Sequence, residues 1–323
     1  MILAGIDIGT NTLRLLVAET GPDSFREITA DRKITRLGQD LDLNGKLSQE
    51  AEDRTLRALI EFAEKIRFHA ALHTSAIGTS ALRNASNSIA FIHTVKEKTG
   101  IDISVISGEE EARLTLVGVA RMLSDDGGRQ KKSWPASSLV IDIGGGSTEI
   151  IATRKGKTPE CVSLPLGAVY LTERCIKHDP PSTEELALLR RMAREMIDSH
   201  AAMIQPDTAG ILIGTAGTIT TLAAIDQGLV VYDPERINRS VLTGERIDAI
   251  IEMLSTSSLK ERRRILGLEP GREDIILAGA VITQEIMQRF GYASMLVSDW
   301  GLREGIVLDL YEKITQQNNA NAT

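Results

Sequence analysis

The chain has 323 residues with apolar and charged fractions of 42% and 25%, and 37 basic against 44 acidic side chains give a formal net charge of −7. That length accommodates about two domains of ~150 residues each, and the balance excludes disordered and collagen-like chains. Aromatics at 3% offer few surfaces for stacking bases, and the acidic excess gives no overall footprint for nucleic acid or an anionic membrane, so a polyanionic ligand would need a local basic lining.

In chain order, Gly5-Ile6-Asp7-Ile8-Gly9-Thr10-Asn11-Thr12 reads as a short apolar strand ending in Asp, then a glycine and hydroxyl turn, then a second strand-like run from Leu13 to Glu19. Helical periodicity is predicted over Glu50–Phe68, Ser88–Thr99 and Glu109–Leu123, with strand-like runs at Ala76–Gly78 and Ser104–Ile106. Ser124 to Ser138 has loop composition and is expected to carry the chain between domains. The opening pattern then returns, 135 residues on, as Val140-Ile141-Asp142-Ile143-Gly144-Gly145-Gly146-Ser147-Thr148, followed by a strand-like run from Glu149 to Thr153. Further helices are predicted at Thr183–Met203, Ile219–Ile225, Glu245–Leu254 and Ile275–Phe290, with a strand at Ile211–Ile213; the tail from Thr315 to Thr323 reads as frayed. Strands alternating with helices predict mostly parallel sheets, and the echo predicts two similar α/β domains facing each other across a cleft. Cys161 and Cys175 make neither a disulfide framework nor a metal spacing. With no basic leader and no apolar run near the ~18 residues of a bilayer span, the expected location is the cytoplasm.

Glycines let a turn bring its N–H groups close to phosphate oxygens, and the Thr10 or Ser147 hydroxyl adds a donor. An Asp at the strand end can hold hydrated Mg2+. One such turn is common in structural hairpins, but two copies with Asp7 and Asp142 converging on one metal point to function. In Ser107-Gly108-Glu109-Glu110-Glu111-Ala112-Arg113, Ser107 and Glu110 form a capping box and Glu109 suits the helix dipole. Glu111 is left over, either a solvated acid or a general base for water. Arg83 follows a short strand and can grip phosphate with its planar fork. Gly214-Thr215-Ala216-Gly217-Thr218 is either a nucleoside or phosphate site at a helix N-terminus or a tight strand-to-helix turn. His69 and His73 lack a third zinc ligand, His178-Asp179 reads as loop, and Lys260 to Arg264 reads as a solvated helix face or the lining of a polyanion route.

These residues resemble the exopolyphosphatase/guanosine pentaphosphate phosphohydrolase family, a branch of the actin-like ATPase superfamily. The resemblance is carried by the two glycine motifs, Arg36-Leu37-Gly38, Thr79 to Ala85, Ile106 to Arg113, Leu164 to Val169, Gly214 to Thr218 and Ser298-Asp299-Trp300-Gly301-Leu302-Arg303-Glu304-Gly305. It implies an α/β fold of two actin-like (ribonuclease H-like) lobes with mixed five-stranded sheets flanked by helices and the active site in the inter-lobe cleft. The N-terminal lobe is expected over 1–123, with the C-terminal helix 302–323 as a candidate to complete it, and the C-terminal lobe over 124–301. The resemblance makes Glu111 the base and Arg83 the phosphate-gripping arginine. Phosphate binding is expected from Gly9, Thr10, Asn11, Gly144, Gly145, Gly146, Ser147, Gly214 and Thr215, and metal holding from Asp7, Asp142 and Glu149. Long members add a helical C-terminal region, so this chain is similar to the short, two-domain members.

The implied activity is metal-dependent release of terminal phosphate from inorganic polyphosphate, with Mg2+ as cofactor, Mn2+ as the other candidate ion, and a homodimer as the expected assembly. Guanosine pentaphosphate presents the same phosphoanhydride and is the alternative substrate; an actin-like small-molecule kinase and a non-catalytic polyphosphate or alarmone sensor are the other classes. Because the net charge is negative, the basic lining is expected locally, from Arg83, the Arg32-Lys33-Arg36 cluster and Arg262 to Arg264.

Overall fold

A computed structural model describes residues 1–124, 135–202, 204–206 and 210–321, so most of the expected inter-domain passage lies outside the described residues. The chain divides into two compact units, one of Met1–Gly118 with Gly301–Thr323 and one of Val119–Trp300.

The first unit is built on β1 (Ile2–Ile8), β2 (Thr12–Thr20), β3 (Phe25–Ile34), β4 (His73–Gly78) and β5 (Ile103–Val105), ordered β3-β2-β1-β4-β5. The first three strands pair antiparallel, and β4 and β5 extend the sheet in parallel. β1 is buried on both faces, which is why it reads as an unbroken apolar run. Its even positions Ala4, Ile6 and Ile8 enter a core with Leu13, Leu15, Leu59 and Phe62. α1 (Leu41–Asn44) precedes α2 (Gln49–Phe68), which starts where Ser48 Oγ accepts from the Ala51 N–H and which buries Ala51, Thr55, Ala58, Leu59, Phe62, Ala63 and Ile66 along one helical stripe. α3 (Ser80–Asn84) and α4 (Ser88–Thr99) follow, then α5 (Gly108–Ser124).

The odd positions of β1 face the C-terminal helix, Leu302–Asn321, through Leu3, Leu16, Ala18 and Val307. A Cβ on Gly5 would lie 2.8 Å from Val307 Cγ2. The family-signature run at this helix start has a structural reason: the Gly301 N–H donates to Glu304 Oε2 (2.9 Å), and a Cβ on Gly305 or Gly118 would collide with the Leu114 or Gly301 carbonyl. Helix α5 and the C-terminal helix therefore meet backbone to backbone. The expected fraying from Thr315 is corrected: the helix continues to Asn321, its outer face polar.

The second unit holds β6 (Ser137–Ile143), β7 (Thr148–Arg154), β8 (Glu160–Leu164), β9 (Ile211–Thr215), β10 (Val241–Thr243) and β11 (Ser294–Val297) in the order β10-β11-β9-β6-β7-β8. Its first three strands repeat the antiparallel β1-β2-β3 pattern, and β9 and β11 run parallel to β6. The sheet has six strands rather than the five expected, because β10 pairs antiparallel with β11 at the edge. Three residues with one buried side chain give no readable period. Helices α6 (Ala168–Cys175), α7 (Thr183–His200), α8 (Ala216–Asp226), α9 (Pro234–Ile237), α10 (Gly244–Thr256), α11 (Leu259–Arg262) and α12 (Ile276–Phe290) complete the unit. α12 is apolar almost all round and correspondingly buried from Ile276 to Met287.

Candidate functional site

The two echoing turns close with the same hydrogen bond. The Gly9 N–H donates to the Thr12 carbonyl at 3.1 Å in the first unit, and the Gly144 N–H donates to the Ser147 carbonyl at 2.9 Å in the second. In both, a segment distant in sequence captures the turn's carbonyls. Gly38 N–H donates to Thr10 O (2.8 Å), and Thr35 and Arg36 N–H donate to Asn11 O. In the second unit the N–H groups of Ala168, Val169 and Tyr170, at the start of α6, donate to Gly144 O and Gly145 O. Among the described residues, the N–H groups of Thr10 and Asn11, and those of Gly145, Gly146 and Ser147, take no intramolecular acceptor. Each turn thus presents donors suited to an anion.

This explains two motifs to which the sequence assigned no role. Gly38 lies against the Thr10 side chain, and a Cβ on Gly167 would collide with the Gly145 carbonyl and stand 2.5 Å from Gly146 N. Only glycine lets those backing segments approach. None of the turn glycines needs a left-handed backbone, so their use is close approach.

Beside each turn runs a row of three cross-strand neighbours. In the first unit Asp7 on β1 faces Arg14 on β2, which faces Arg32 on β3. In the second, Asp142 on β6 faces Glu149 on β7, which faces Ser163 on β8. The rows are topologically equivalent and opposite in charge. Arg14 Nη1 lies 3.6 Å from Asp7 Oδ2, and Ser163 Oγ donates to Glu149 Oε1 at 2.7 Å. Asp7, Asp142 and Glu149 are all buried. Two buried carboxylates directly opposite one another repel unless a cation or proton sits between their charges. Among the described residues no group of three or more His, Cys, Asp or Glu could cage a metal. The oxygen donors of Asp142 and Glu149 fit a hydrated cation taking one or two carboxylates.

The three acids at the start of α5 separate by environment. Glu109 is exposed; a hydrogen bond from its own backbone N–H and one from Ser107 hold its carboxyl below the usual range. Glu110 completes half of the expected capping box, its N–H donating to Ser107 Oγ at 3.2 Å, while its carboxylate is bound twice by Arg113, which also reaches Asp309. Arg113 holds Glu110 below the ordinary carboxylate range. Glu111 alone is buried, and Arg83 Nη1 reaches its Oε2 at 3.2 Å while also donating to Ile106 O at 2.8 Å. The structure therefore brings Arg83 and Glu111 together within the first unit.

Gly214 and Thr215 end β9, with Thr215 in register beside Asp142. Thr215 donates its hydroxyl to Trp300 O (2.9 Å), and a Cβ on Gly214 would stand 2.5 Å from Met295 Sδ. At this turn α8 begins, entered through Ala216 at φ 69°, and a helix N-terminus of this kind favours an anion.

The basic run at Lys260 to Arg264 is exposed as expected for a solvated face, except at Arg262. Arg262 is 1% exposed, donating from Nε to Leu254 O and from Nη1 to Glu273 O, and Arg263 pairs with Glu273. Lys33 pairs with Glu61. Arg262, Arg263 and Lys33 thus leave the expected basic lining. His178 binds Glu185, and Asp179 Oδ1 accepts from the Leu259 N–H, as loop residues do. Among the described residues, no helix is long and apolar enough to cross a membrane.

Residues 16–314 match the family model of the Ppx/GppA phosphatase family. The chain is 33% identical over 321 residues to exopolyphosphatase 2 of Mycobacterium tuberculosis, covering 95% of this chain and 98% of the relative. Among solved structures, an Aquifex aeolicus Ppx/GppA family member superposes with a TM-score of 0.78 at 32% identity, covering 98% of this chain and 99% of that one. An exopolyphosphatase from Cytophaga hutchinsonii gives a TM-score of 0.85 at 27% identity, covering 97% and 98%. The two mixed sheets flanked by helices are the actin-like fold of these relatives. With its paired glycine turns, its buried Glu111 and its match along nearly its whole length, the chain belongs to the Ppx/GppA phosphatase family.

Proposed function

We propose that this protein hydrolyses the terminal phosphoanhydride of inorganic polyphosphate. The observation that carries the reading is the isolation of Glu111 as the one buried acid of the α5 start, held beside Arg83 in a chain similar to exopolyphosphatases. Glu111 orients a water and takes its proton. The water oxygen bonds to the terminal phosphorus, the bridging P–O bond breaks, and the shortened chain leaves with the bridging oxygen. Arg83, fixed by the Ile106 carbonyl, offers its remaining N–H groups to the transferring phosphoryl oxygens. The free N–H groups of the Gly9–Asn11 and Gly144–Ser147 turns bind phosphate oxygens, with the α8 N-terminus at Gly214 and Thr215 assisting.

Asp142 and Glu149 would hold Mg2+, with Asp7 the other carboxylate, and Mn2+ has the same preference for oxygen donors. When bound, the ion neutralises charge on phosphate oxygens. A cytoplasmic homodimer is part of the proposal, testable by sedimentation.

Phosphate release is to be measured side by side from polyphosphate of defined length and from guanosine pentaphosphate, with Mg2+ and with EDTA. Polyphosphate turnover exceeding that of guanosine pentaphosphate, and lost in EDTA, is expected. Preference for the nucleotide would reassign the substrate; no release from either with Mg2+ present would refute hydrolysis.

A further inference from the structure

The segment that backs the first turn lies in neither a strand nor a helix. β3 ends at Ile34 and α1 starts at Leu41, and between them the N–H groups of Thr35 and Arg36 go to Asn11 O and that of Gly38 to Thr10 O. Leu37 anchors the segment in the core of the first unit. Arg36 has a left-handed backbone, φ 50°, which a residue other than glycine keeps only where its surroundings impose it. The carbonyls of the same two residues are taken from α2. Arg54, in the second turn of that helix, donates from Nε to Thr35 O at 2.9 Å, and from Nη2 to Arg36 O at 3.5 Å and Gln39 Oε1 at 3.2 Å. One planar fork therefore grips the segment on both sides of Gly38. In the second unit the backing residues start α6, whose own hydrogen bonds hold them, as from the Leu171 N–H to Gly167 O at 3.0 Å. Helix continuity does there what a side chain does in the first unit.

Resting on the reading of the Gly9–Asn11 turn as a phosphate site, we propose that Arg54 is a positioning residue for the terminal phosphates of the substrate. It acts through Thr35 to Gly38 and touches no phosphate itself. The Thr10 carbonyl shares its peptide plane with the Asn11 N–H, so the Gly38 bond that fixes the one aims the other. Loosening Arg54 frees the segment, and with it the direction of that donor. Because the turn meets phosphate in the ground state and the transition state alike, the loss falls on binding rather than on the chemical step, which Glu111 and Arg83 serve through contacts of their own.

The test uses the full chain, with tripolyphosphate binding read by calorimetry in EDTA and KM and kcat read for polyphosphate with Mg2+. Arg54→Ala is expected to weaken tripolyphosphate binding and raise KM by about tenfold, the scale of one charge-assisted hydrogen bond to phosphate, with kcat within about twofold of the wild type. Arg54→Lys keeps the charge but cannot span three acceptors, and should leave a loss of about threefold. A merely structural role would lower Tm in both variants yet leave KM, and binding measured well below Tm, unchanged; that result would overturn the proposal. Wild-type binding in Arg54→Lys would also overturn it, since charge without the fork would then suffice, and this variant decides alone if Arg54→Ala fails to fold. Weakened binding in both variants, with no phosphate release by the wild type, would overturn the hydrolase reading and leave the role of Arg54 standing. Hydrolysis by the wild type with unchanged binding in both variants would do the reverse.

Discussion

Replacing Glu111 with glutamine removes the proposed proton acceptor with little change of shape. The side chain is buried on α5, and an amide fills the same volume. Its oxygen can still accept from Arg83, which keeps its second bond to Ile106 O at 2.8 Å. The stability loss is that of weakening one partly buried ion pair, about 1 kcal/mol, worth a few degrees in Tm. The catalytic loss is of another order. A positioned base contributes about 10²–10⁴-fold, or roughly 3–5 kcal/mol of barrier. Phosphate release under saturating polyphosphate and Mg2+ should therefore fall at least a hundredfold, with circular dichroism and tripolyphosphate binding preserved. Retention of more than about a tenth of wild-type kcat would refute Glu111 as base. A collapse of the fold matching the loss of rate would refute the shape argument, and Glu111→Asp, which keeps the carboxylate, would then decide between them.

Three further outcomes follow from particular contacts. Gly167→Ala drives a methyl into the Gly145–Gly146 peptide that the α6 start holds in place, and should both destabilise the protein by about 2–4 kcal/mol in urea denaturation and weaken tripolyphosphate binding by about tenfold or more. Gly305→Ala places a methyl against the Leu114 carbonyl at the crossing of α5 and the C-terminal helix, and should destabilise the protein by about 2–4 kcal/mol in urea denaturation. Glu185 shows a pH signature: burial works against its charge, but hydrogen bonds from Ser182, His178 and the Lys177 N–H outweigh it and bring the carboxyl down to about 2 from 4.5. A depressed folded value stabilises above about 4.5 and ceases to do so as pH falls toward 2, so Glu185→Gln should cost about 1–2 kcal/mol at neutral pH and nothing near pH 2.

Local patterns carried much of this fold. The helix predicted over Glu50–Phe68 forms as Gln49–Phe68, and that over Glu109–Leu123 as Gly108–Ser124, because apolar stripes at helical spacing need only a sheet to cover them. The 135-residue echo is visible in sequence because strand, Asp, turn and strand are contiguous, and it reappears as one hydrogen bond repeated at Gly9 and Gly144. Glu111 is set apart from its neighbours by local contacts: it is buried, while Glu109 bonds to Ser107 and Glu110 pairs with Arg113. What escaped reading was made by distant partners. Thr35 to Gly38 and Ala168 to Tyr170 capture the turn carbonyls from some two dozen residues away, and no local period marks them. Arg262 looks solvated within Lys260 to Arg264, yet the Leu254 and Glu273 carbonyls draw its guanidinium inside. The edge strand β10 is too short to show an alternation.

The opposite charges of the two equivalent rows bear on why an acidic protein can handle a polyanion. Turns alone do not discriminate, because both present backbone N–H groups to any anion. The side chains two residues away do: Arg14 stands against Asp7 at 3.6 Å and offsets its charge, whereas Asp142 and Glu149 repel phosphate unless a cation is present. On the proposed reading, phosphate affinity at the second turn is linked to the metal through two carboxylates, and at the first only through Asp7, which already faces Arg14 at 3.6 Å. By linkage, tripolyphosphate and Mg2+ should each tighten the binding of the other by the same factor. That coupling should vanish in Asp142→Asn and survive in Arg32→Ala, as calorimetric titrations in both orders would show; equal coupling in the two variants would mean that the rows are not specialised.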